Sequence, residues 1–250
     1  MKVILFFLFF LHSANAIGCG DVLNGHVVIT GTTVDVRAFY DCTKLTSVYM
    51  PNVTYIGENA FWGTALTTVS MPEVTSINAY AFEGCTKLTD VSMPKVTTIG
   101  ESAFQNTGLT TVDMPKVTSI GNIAFYGCTA LESVNMPNVT TIENIAFQDC
   151  TALDKVTMPK VITIGEGAFQ DCTALTTVTM PVVQSIGDYA FYGCTALVSV
   201  TMPVVQSIGD DAFRGTGIFQ KGSCENAMLS SCSGESIENI VDYTKRLHSC

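Results

Sequence analysis

One repeating unit decides the fold of this chain, and its cleanest copy is residues 175–196, LTTVTMPVVQSIGDYAFYGCTA. The Met-Pro pair of this unit recurs eight times at steps of 21 or 22 residues, from Met50 to Met202. An Ala-Phe pair keeps the same step nine times, from Phe39 to Phe213. A fixed period of this length predicts a solenoid, because each unit buries its apolar face only by stacking on its neighbours.

The order of residues within the unit predicts its local structure. Polar and apolar residues alternate through residues 177–180, and this period of two is typical of a half-buried strand. Pro181 has no backbone N–H, so the hydrogen-bonded ladder is expected to stop there in every coil. A second extended piece is predicted over 183–186, and one helical turn is predicted over 188–194.

The inward residues of each unit are Leu, Val, Met, Val, Ile, Ala, Phe and usually Cys. Equivalent residues of successive strands are expected to stack at about 4.8 Å along the axis. The nine phenylalanines from Phe39 to Phe213 should therefore form a continuous aromatic spine. Burial of each of these rings would contribute about 1.5–3 kcal/mol.

The pattern LxxVxMPxVTxIGxxAFxGCTx resembles the BspA-like class of leucine-rich repeats over about residues 37–218. This class is found on surface proteins of oral bacteria and of protists. The resemblance implies a right-handed, curved, mainly β solenoid of eight to nine units with short helical or 3-10 turns. It also implies a secreted or cell-surface protein with a role in adhesion or ligand binding.

The first sixteen residues have the features of a secretory signal peptide. Lys2 provides the positive start, the run from Val3 to Leu11 is apolar, and residues 14–16 read Ala-Asn-Ala. Nine apolar residues are too few to cross a bilayer, which takes about 20. Residues 1–16 are therefore predicted to be cleaved from an exported protein without a membrane span.

The remaining chain is predicted to have three parts. Residues 17–36 are assigned to an N-terminal cap and a divergent first repeat, and residues 37–218 to the BspA-like repeats. Residues 219–250 are assigned to a C-terminal cap that contains cysteines, since solenoid ends need covering. Apolar residues recur at helical spacing over 235–248, which predicts a capping helix there.

The cysteines at the repeat position are predicted to be buried free thiols. Coils that lack the cysteine separate Cys85 from its nearest equivalents by about 10 Å, too far for a disulfide. Within the run from Cys128 to Cys194, pairing between neighbouring coils is the alternative. The six residues at this position are Cys42, Cys85, Cys128, Cys150, Cys172 and Cys194.

The other four cysteines lie outside the repeats. Cys224 and Cys232 enclose a short loop and are candidates for a disulfide in the C-terminal cap. Cys19 is a candidate partner for Cys42 at the other end. Cys250 is then the odd cysteine, free or available for a disulfide-linked dimer.

The sequence contains no recognisable catalytic, cofactor-binding or metal-binding motif. GxSxG, P-loop, GxGxxG and HExxH patterns are all missing. The formal net charge of −10 disfavours nucleic acid and anionic membranes as partners, because both require basic patches. The favoured function is non-enzymatic binding of an extracellular protein or glycan, with an undetected extracellular enzyme as an alternative.

The exposed strand positions are the candidate ligand face, because solenoids bind partners on their extended sheet surface. Two other interpretations stay open: an ordinary strand surface rich in Thr and Ser, and a structural or ice-binding threonine array. Four of the positions interrupt such an array with charged or amide side chains. The candidate residues are Asp90, Ser92, Thr111, Asp113, Ser133, Asn135, Lys155, Thr157, Thr177 and Thr179.

Two sequons follow Met-Pro pairs at the same repeat position. They are Asn52-Val-Thr54 and Asn138-Val-Thr140. Asn52 and Asn138 are therefore candidate glycosylation sites in a eukaryotic secretory pathway.

Overall fold

The computed structural model describes residues 17–219, which form a parallel β solenoid of nine coils. Each coil contains a three-residue strand, a Met-Pro corner in most coils, a two-residue strand and a turn that carries the Ala-Phe pair. We call the sheet side formed by the three-residue strands the front and the side formed by the two-residue strands the back. The prediction of a mainly β solenoid of eight to nine units is confirmed.

The front strands fall into three separate ladders. They pair in parallel as β1–β3, as β5–β7 and as β9–β11–β13–β15–β17. Their bounds are β1 (His26–Val28), β3 (Ser47–Tyr49), β5 (Thr68–Ser70), β7 (Asp90–Ser92), β9 (Thr111–Asp113), β11 (Ser133–Asn135), β13 (Lys155–Thr157), β15 (Thr177–Thr179) and β17 (Ser199–Thr201).

The back strands form one continuous nine-stranded sheet from β2 to β18. Each outward residue lies in register with its equivalent in the next coil. Their bounds are β2 (Thr33–Val34), β4 (Tyr55–Ile56), β6 (Ser76–Ile77), β8 (Thr98–Ile99), β10 (Ser119–Ile120), β12 (Thr141–Ile142), β14 (Thr163–Ile164), β16 (Ser185–Ile186) and β18 (Ser207–Ile208).

The strands are shorter than the sequence pattern predicts. In the coil of residues 175–196 the front strand ends at Thr179, before the proline, as the missing N–H requires. Val183 was expected to begin the second strand, but its N–H bonds to the carbonyl oxygen of Met180 at 3.3 Å. The Met-Pro corner is thus a closed turn, and only Ser185 and Ile186 remain for the back strand.

The prediction of a helical turn in each coil is wrong. In residues 188–194 the N–H groups of Tyr189, Phe191 and Gly193 donate to carbonyl oxygens of the next coil at 2.7–2.9 Å. Only the alternate N–H groups, of Tyr192 and Cys194, close turns by bonding three residues back. Left-handed φ angles at Tyr189 (55°) and Gly193 (71°) produce this alternation. Because the other donors serve the neighbouring coil, no helix can form there.

The core is the stacked interior that the periodicity predicts. Consecutive phenylalanine rings from Phe39 to Phe213 stack with centroids 5.1–5.4 Å apart. The leucine, valine, methionine, isoleucine and alanine columns are also buried along almost the whole solenoid. Every interior ring therefore has a phenylalanine above and below it.

The N-terminal end is closed by a hairpin and a disulfide. Leu23 and His26 exchange two backbone hydrogen bonds around Asn24-Gly25, whose φ angles of 49° and 86° suit a tight two-residue turn. Cys19 bonds to Cys42 with a Cα–Cα distance of 5.6 Å, which confirms that pairing. The hairpin and the disulfide together anchor the N-terminal segment to the first two coils.

Several predictions concern residues outside 17–219, namely the signal peptide, the helix over 235–248, and Cys224, Cys232 and Cys250. Within 17–219, the helices are the short 3-10 segments Cys19–Asp21 and Gly217–Phe219. None of the helices in this part of the chain is long and apolar enough to span a membrane.

Candidate ligand-binding face

The ten candidate ligand residues lie on the front, in two columns that run along the solenoid. One column contains residues such as Asp90 and Lys155, which occupy the first position of each front strand. The other contains residues such as Asp113 and Asn135, which occupy the third position and pair directly in register. Eight of the ten are exposed, while Thr177 and Thr179 are half-buried.

The structure does not join all ten residues in one ladder. Asp90 and Ser92 belong to the two-stranded ladder β5–β7, whereas the other eight residues belong to the five-stranded ladder that begins at β9. Between the two ladders, the Thr110 N–H still bonds to the Thr89 carbonyl at 3.3 Å. The candidate face is therefore continuous in position but interrupted in its regular hydrogen bonding.

Polar side chains at the centre of the front make contacts with one another. The Asn135 Nδ2 donates to the Asp113 Oδ1 at 2.8 Å across the β9–β11 pair. The Lys155 Nζ lies 3.7 Å from the Asp154 Oδ2, and the Asp154 Oδ1 also accepts from the Thr176 hydroxyl at 2.6 Å. A carboxylate, an amide and an ammonium group thus lie on three successive coils, where a partner could contact all three.

The sequence interpretation missed the first coil as part of this face. His26 lies in register with Ser47, and their side chains are hydrogen-bonded at 2.5 Å. Val28 lies in register with Tyr49, which is 63% exposed. The available signal was the spacing, since His26-Val27-Val28 precedes the next front strand by 21 residues.

The back is a second hydroxyl-rich surface that the sequence interpretation did not single out. The first residue of each back strand is Ser or Thr, with one Tyr, and these residues form one column. The residue just before each back strand is mostly Thr, and these residues form a second, earlier column. Hydroxyls of this earlier column donate to the carbonyl of the preceding coil, as in Thr97 to Thr75 at 3.1 Å and Thr140 to Thr118 at 3.1 Å. No acidic or basic residue occupies either column in the nine coils.

The five cysteines of the repeat position after Cys42 are buried free thiols, which confirms the prediction for Cys85. Each of their sulfur atoms donates to a phenylalanine carbonyl at 3.0–3.2 Å. Burial raises the pKa of the Cys85 and Cys128 thiols to about 11, and it raises the pKa of Cys150 and Cys172 well above the usual range. Protonated, buried thiols are poor nucleophiles, so these four cysteines serve the core.

Two carboxylates on the turn side accept hydrogen bonds from aromatic side chains. The Tyr80 hydroxyl donates to the Glu101 Oε1 at 2.9 Å, and this bond is the main cause that raises the pKa of Tyr80. Burial raises the pKa of Glu83, while a hydrogen bond from Trp62 opposes that rise. Within residues 17–219, no group of three or more His, Cys, Asp or Glu residues is arranged to hold a metal ion.

Three solved structures that are similar to this chain are bacterial proteins. The pneumococcal vaccine antigen PcpA is 17% identical, with a TM-score of 0.52 over 76% of this chain and 59% of that one. A leucine-rich repeat protein from Bacteroides ovatus is 20% identical, with a TM-score of 0.45 over 76% and 72% of the two chains. A leucine-rich cell surface protein from Faecalibacterium prausnitzii is 24% identical, with a TM-score of 0.39 over 84% and 82%. At these identities, the antigen supports the fold alone.

The family comparison gives the stronger result. No curated protein sequence matches the chain. The profile of the BspA type leucine-rich repeat region matches residues 24–132 and 97–220, with six copies of the repeat. These matches cover most of the nine coils, and the chain belongs to the BspA-type leucine-rich repeat family.

Proposed function

We propose that this protein is a secreted, non-enzymatic binding protein whose front face holds an extracellular protein or glycan ligand, as in adhesion. The observation that carries the proposal is the chemistry of the front face. Asp113, Asn135 and Lys155 lie exposed on the paired strands of three successive coils, and Asn135 donates to Asp113 at 2.8 Å. Side chains presented by an ordered backbone of this kind can recognise a partner at little cost for ordering that backbone.

The difference between the two faces supports this assignment. Front and back strands belong to the same coils and have similar Thr and Ser content, yet the charged side chains on strands occur only on the front. Strand formation does not require those charges, since the back strands form a continuous sheet without them. A recognition role gives the charges on the front a function that a scaffold role does not.

We propose that residues 1–16 direct export and that the solenoid is curved and right-handed. We propose a cap over 219–250 with a Cys224–Cys232 disulfide and a helix over 235–248. Cys250 would be available for a disulfide-linked dimer.

The test replaces the three front residues together, as Asp113→Thr, Asn135→Thr and Lys155→Thr. A matched control leaves the front unchanged and places the same side chains on the back of the same coils, as Ser119→Asp, Thr141→Asn and Thr163→Lys. Immobilised wild type is used to recover proteins and glycans from the native extracellular fluid. Each variant is then assayed against what the wild type retains.

The expected result is a sharp loss of binding by the front variant and unchanged binding by the back variant. Truncating a few central contacts commonly removes most of the binding energy of an interface. Far-ultraviolet circular dichroism should show both variants folded. Equal binding by the wild type and the front variant would rule out the front centre as the ligand site.

A second candidate function is a structural or ice-binding role, which the back now favours over the front. The first position of its strands carries a hydroxyl in all nine coils, and neither back column contains a charged residue, unlike the front array. Thermal hysteresis measurements separate this candidate from ligand binding. Hysteresis in the wild type that is lost in the back variant would support it, and no hysteresis in any of the three proteins would exclude ice binding.

A further inference from the structure

The two sequons form a matched pair whose surroundings differ. Both read Asn-Val-Thr, and both follow a Met-Pro pair at the corner between a front and a back strand. The hydroxyls of Thr54 and Thr140 make the same bond, each to the carbonyl of the preceding coil, at 3.2 and 3.1 Å. Any difference in glycosylation between the two sites must therefore come from what surrounds each asparagine.

Asn138 is held at both ends of its side-chain amide. Its Nδ2 donates to the Pro115 carbonyl at 2.6 Å, and its Oδ1 accepts from the Lys160 Nζ at 2.6 Å. These bonds connect the corner to the coil before it and the coil after it, and the side chain is half-buried. A sugar ring on Nδ2 would have to enter this packed space and disturb the bonds.

Asn52 stands at a more open corner. It is exposed, and its side-chain amide makes no hydrogen bond to another residue of the described range 17–219. The corner before it is one residue shorter, since five positions separate Val28 from Thr33 while six separate Tyr49 from Tyr55. That shorter corner contains Gly31, which has no side chain. A sugar ring on Asn52 can therefore project into solvent without disturbing a neighbouring coil.

Resting on the export proposed above, we propose that Asn52 is the site of this protein that a eukaryotic secretory pathway glycosylates and that the fold excludes a glycan from Asn138. In the reaction, Nδ2 bonds to the anomeric carbon of an oligosaccharide carried on a lipid pyrophosphate. The bond from that carbon to the pyrophosphate breaks, the lipid pyrophosphate leaves, and Nδ2 loses one proton. Because transfer precedes complete folding, a chain that receives a glycan at Asn138 should fold less well and be secreted in lower amount.

The position of Asn52 also fits the proposed binding face. The corner of the second coil lies three coils from Asp113, about 15 Å at the strand spacing. A glycan on Asn52 would therefore shield the N-terminal end of the solenoid and leave the centre of the front accessible. A glycan on Asn138 would instead stand in the coil of Asn135, beside the candidate ligand residues.

The test expresses the full chain in a eukaryotic secretory cell, with Asn138→Gln leaving one sequon and Asn52→Gln leaving the other. A parallel set replaces residues 1–16 with a secretion signal of the host, so that a failure of export is not mistaken for a failure of glycosylation. The readouts are the shift in mass on treatment with a peptide N-glycosidase, the secreted amount and the melting temperature.

The expected result is a glycan on secreted Asn138→Gln, in the secreted amount of wild type and with a melting temperature lowered slightly by the loss of the two Asn138 bonds. Asn52→Gln should be secreted without a glycan, or, if it is glycosylated, secreted in lower amount with a lower melting temperature. Two outcomes would overturn the proposal. One is a secreted Asn138→Gln chain without a glycan, and the other is a fully glycosylated Asn52→Gln chain with unchanged secretion and melting temperature.

Discussion

The front and back of the solenoid are built from the same nine coils, yet only the back is a continuous sheet. The back strands have two residues each and pair without a break from β2 to β18. The front strands have three residues each and break between β3 and β5 and between β7 and β9. Continuity therefore does not follow strand length.

The breaks follow the number of residues in the turn that leads into each front strand. Six positions separate Phe from Leu in a full coil, as from Phe191 to Leu197, but only five separate Phe61 from Leu66 and Phe104 from Leu109. The front strand follows this turn at once, whereas the back strand comes after the next corner. A turn that lacks one residue therefore interrupts the strand pairing of the front, while the back strands still pair.

The largest predicted effect concerns the core that both faces share. Phe147 is fully buried, and its ring stacks on Phe125 at 5.1 Å and on Phe169 at 5.2 Å. Phe147→Ala should lower the free energy of unfolding by about 3–5 kcal/mol, because it leaves a cavity with a coil on each side. Chemical denaturation of the variant and the wild type measures the difference.

The control for this prediction is Tyr126→Ala, at a half-buried turn position one residue from a spine phenylalanine. It removes an aromatic ring without opening a cavity in the spine, so the loss should be much smaller. A loss below about 1 kcal/mol for Phe147→Ala would contradict the stacked-spine assignment.

A smaller effect is expected at the thiol beside the first short turn. The Cys85 Sγ donates to the Phe61 carbonyl at 3.0 Å and lies 3.2 Å from the Thr64 Oγ1, so it connects a full coil to a shortened one. Burial raises the pKa of this thiol to about 11 in the folded state, against about 8.5 for an unfolded cysteine. The stability contributed by the neutral thiol is therefore complete below about pH 8.5 and is lost as pH rises toward 11.

Denaturation midpoints measured between pH 8 and pH 11 test whether stability falls as pH rises. Wild type should lose about 3 kcal/mol more than Cys85→Ala over this range, since each pKa unit corresponds to about 1.4 kcal/mol. Lysine and tyrosine titrate in both proteins, so the comparison of slopes isolates the thiol. If stability fell equally with pH in the two proteins, folding would not raise the pKa of Cys85.

The features that the sequence predicted are those set by periodicity. The recurrence of Met-Pro and Ala-Phe predicted parallel coils and a phenylalanine spine, and the alternation around Val178 predicted which strand residues are buried. The missing cysteines predicted that Cys85 is free. Each of these depends on apolar burial, which repeats in every coil and leaves a strong pattern.

The features that were missed depend on contacts between coils. Tyr189 has a left-handed φ angle and its N–H bonds to the next coil, and nothing in the residue type indicates either feature. At the same repeat position, Ile123 and Ile145 have φ angles of 61° and 63°, where β-branched residues are rare. The ladder breaks were missed for a related reason, since a one-residue shortening leaves the hydrophobic pattern unchanged.

The smallest predicted effect tests whether turn length controls the front ladder. Inserting one cysteine between Gly63 and Thr64 would change FWGTAL into FWGCTAL, which matches FYGCTAL at 191–197. The insertion should join β3 to β5, because the strand would then enter at the same point as in a full coil. We expect hydrogen exchange to show greater protection of the Val69 and Ser70 amides, and stability to rise by about 1 kcal/mol for the added backbone bonds.

The matched control inserts one alanine between Gly193 and Cys194, in a coil that already has the full turn. This coil would then have one residue too many. We therefore expect the amides of β15 and β17 to lose hydrogen-exchange protection in this variant, whereas the amides of β3 and β5 gain protection in the first variant. Opposite responses to the same change in length would establish that the turn sets the register of the front. Equal loss at both places, with the back strands still protected, would instead show that the short turn at Gly63 is the arrangement its neighbours require, and that the break in the front ladder has another cause.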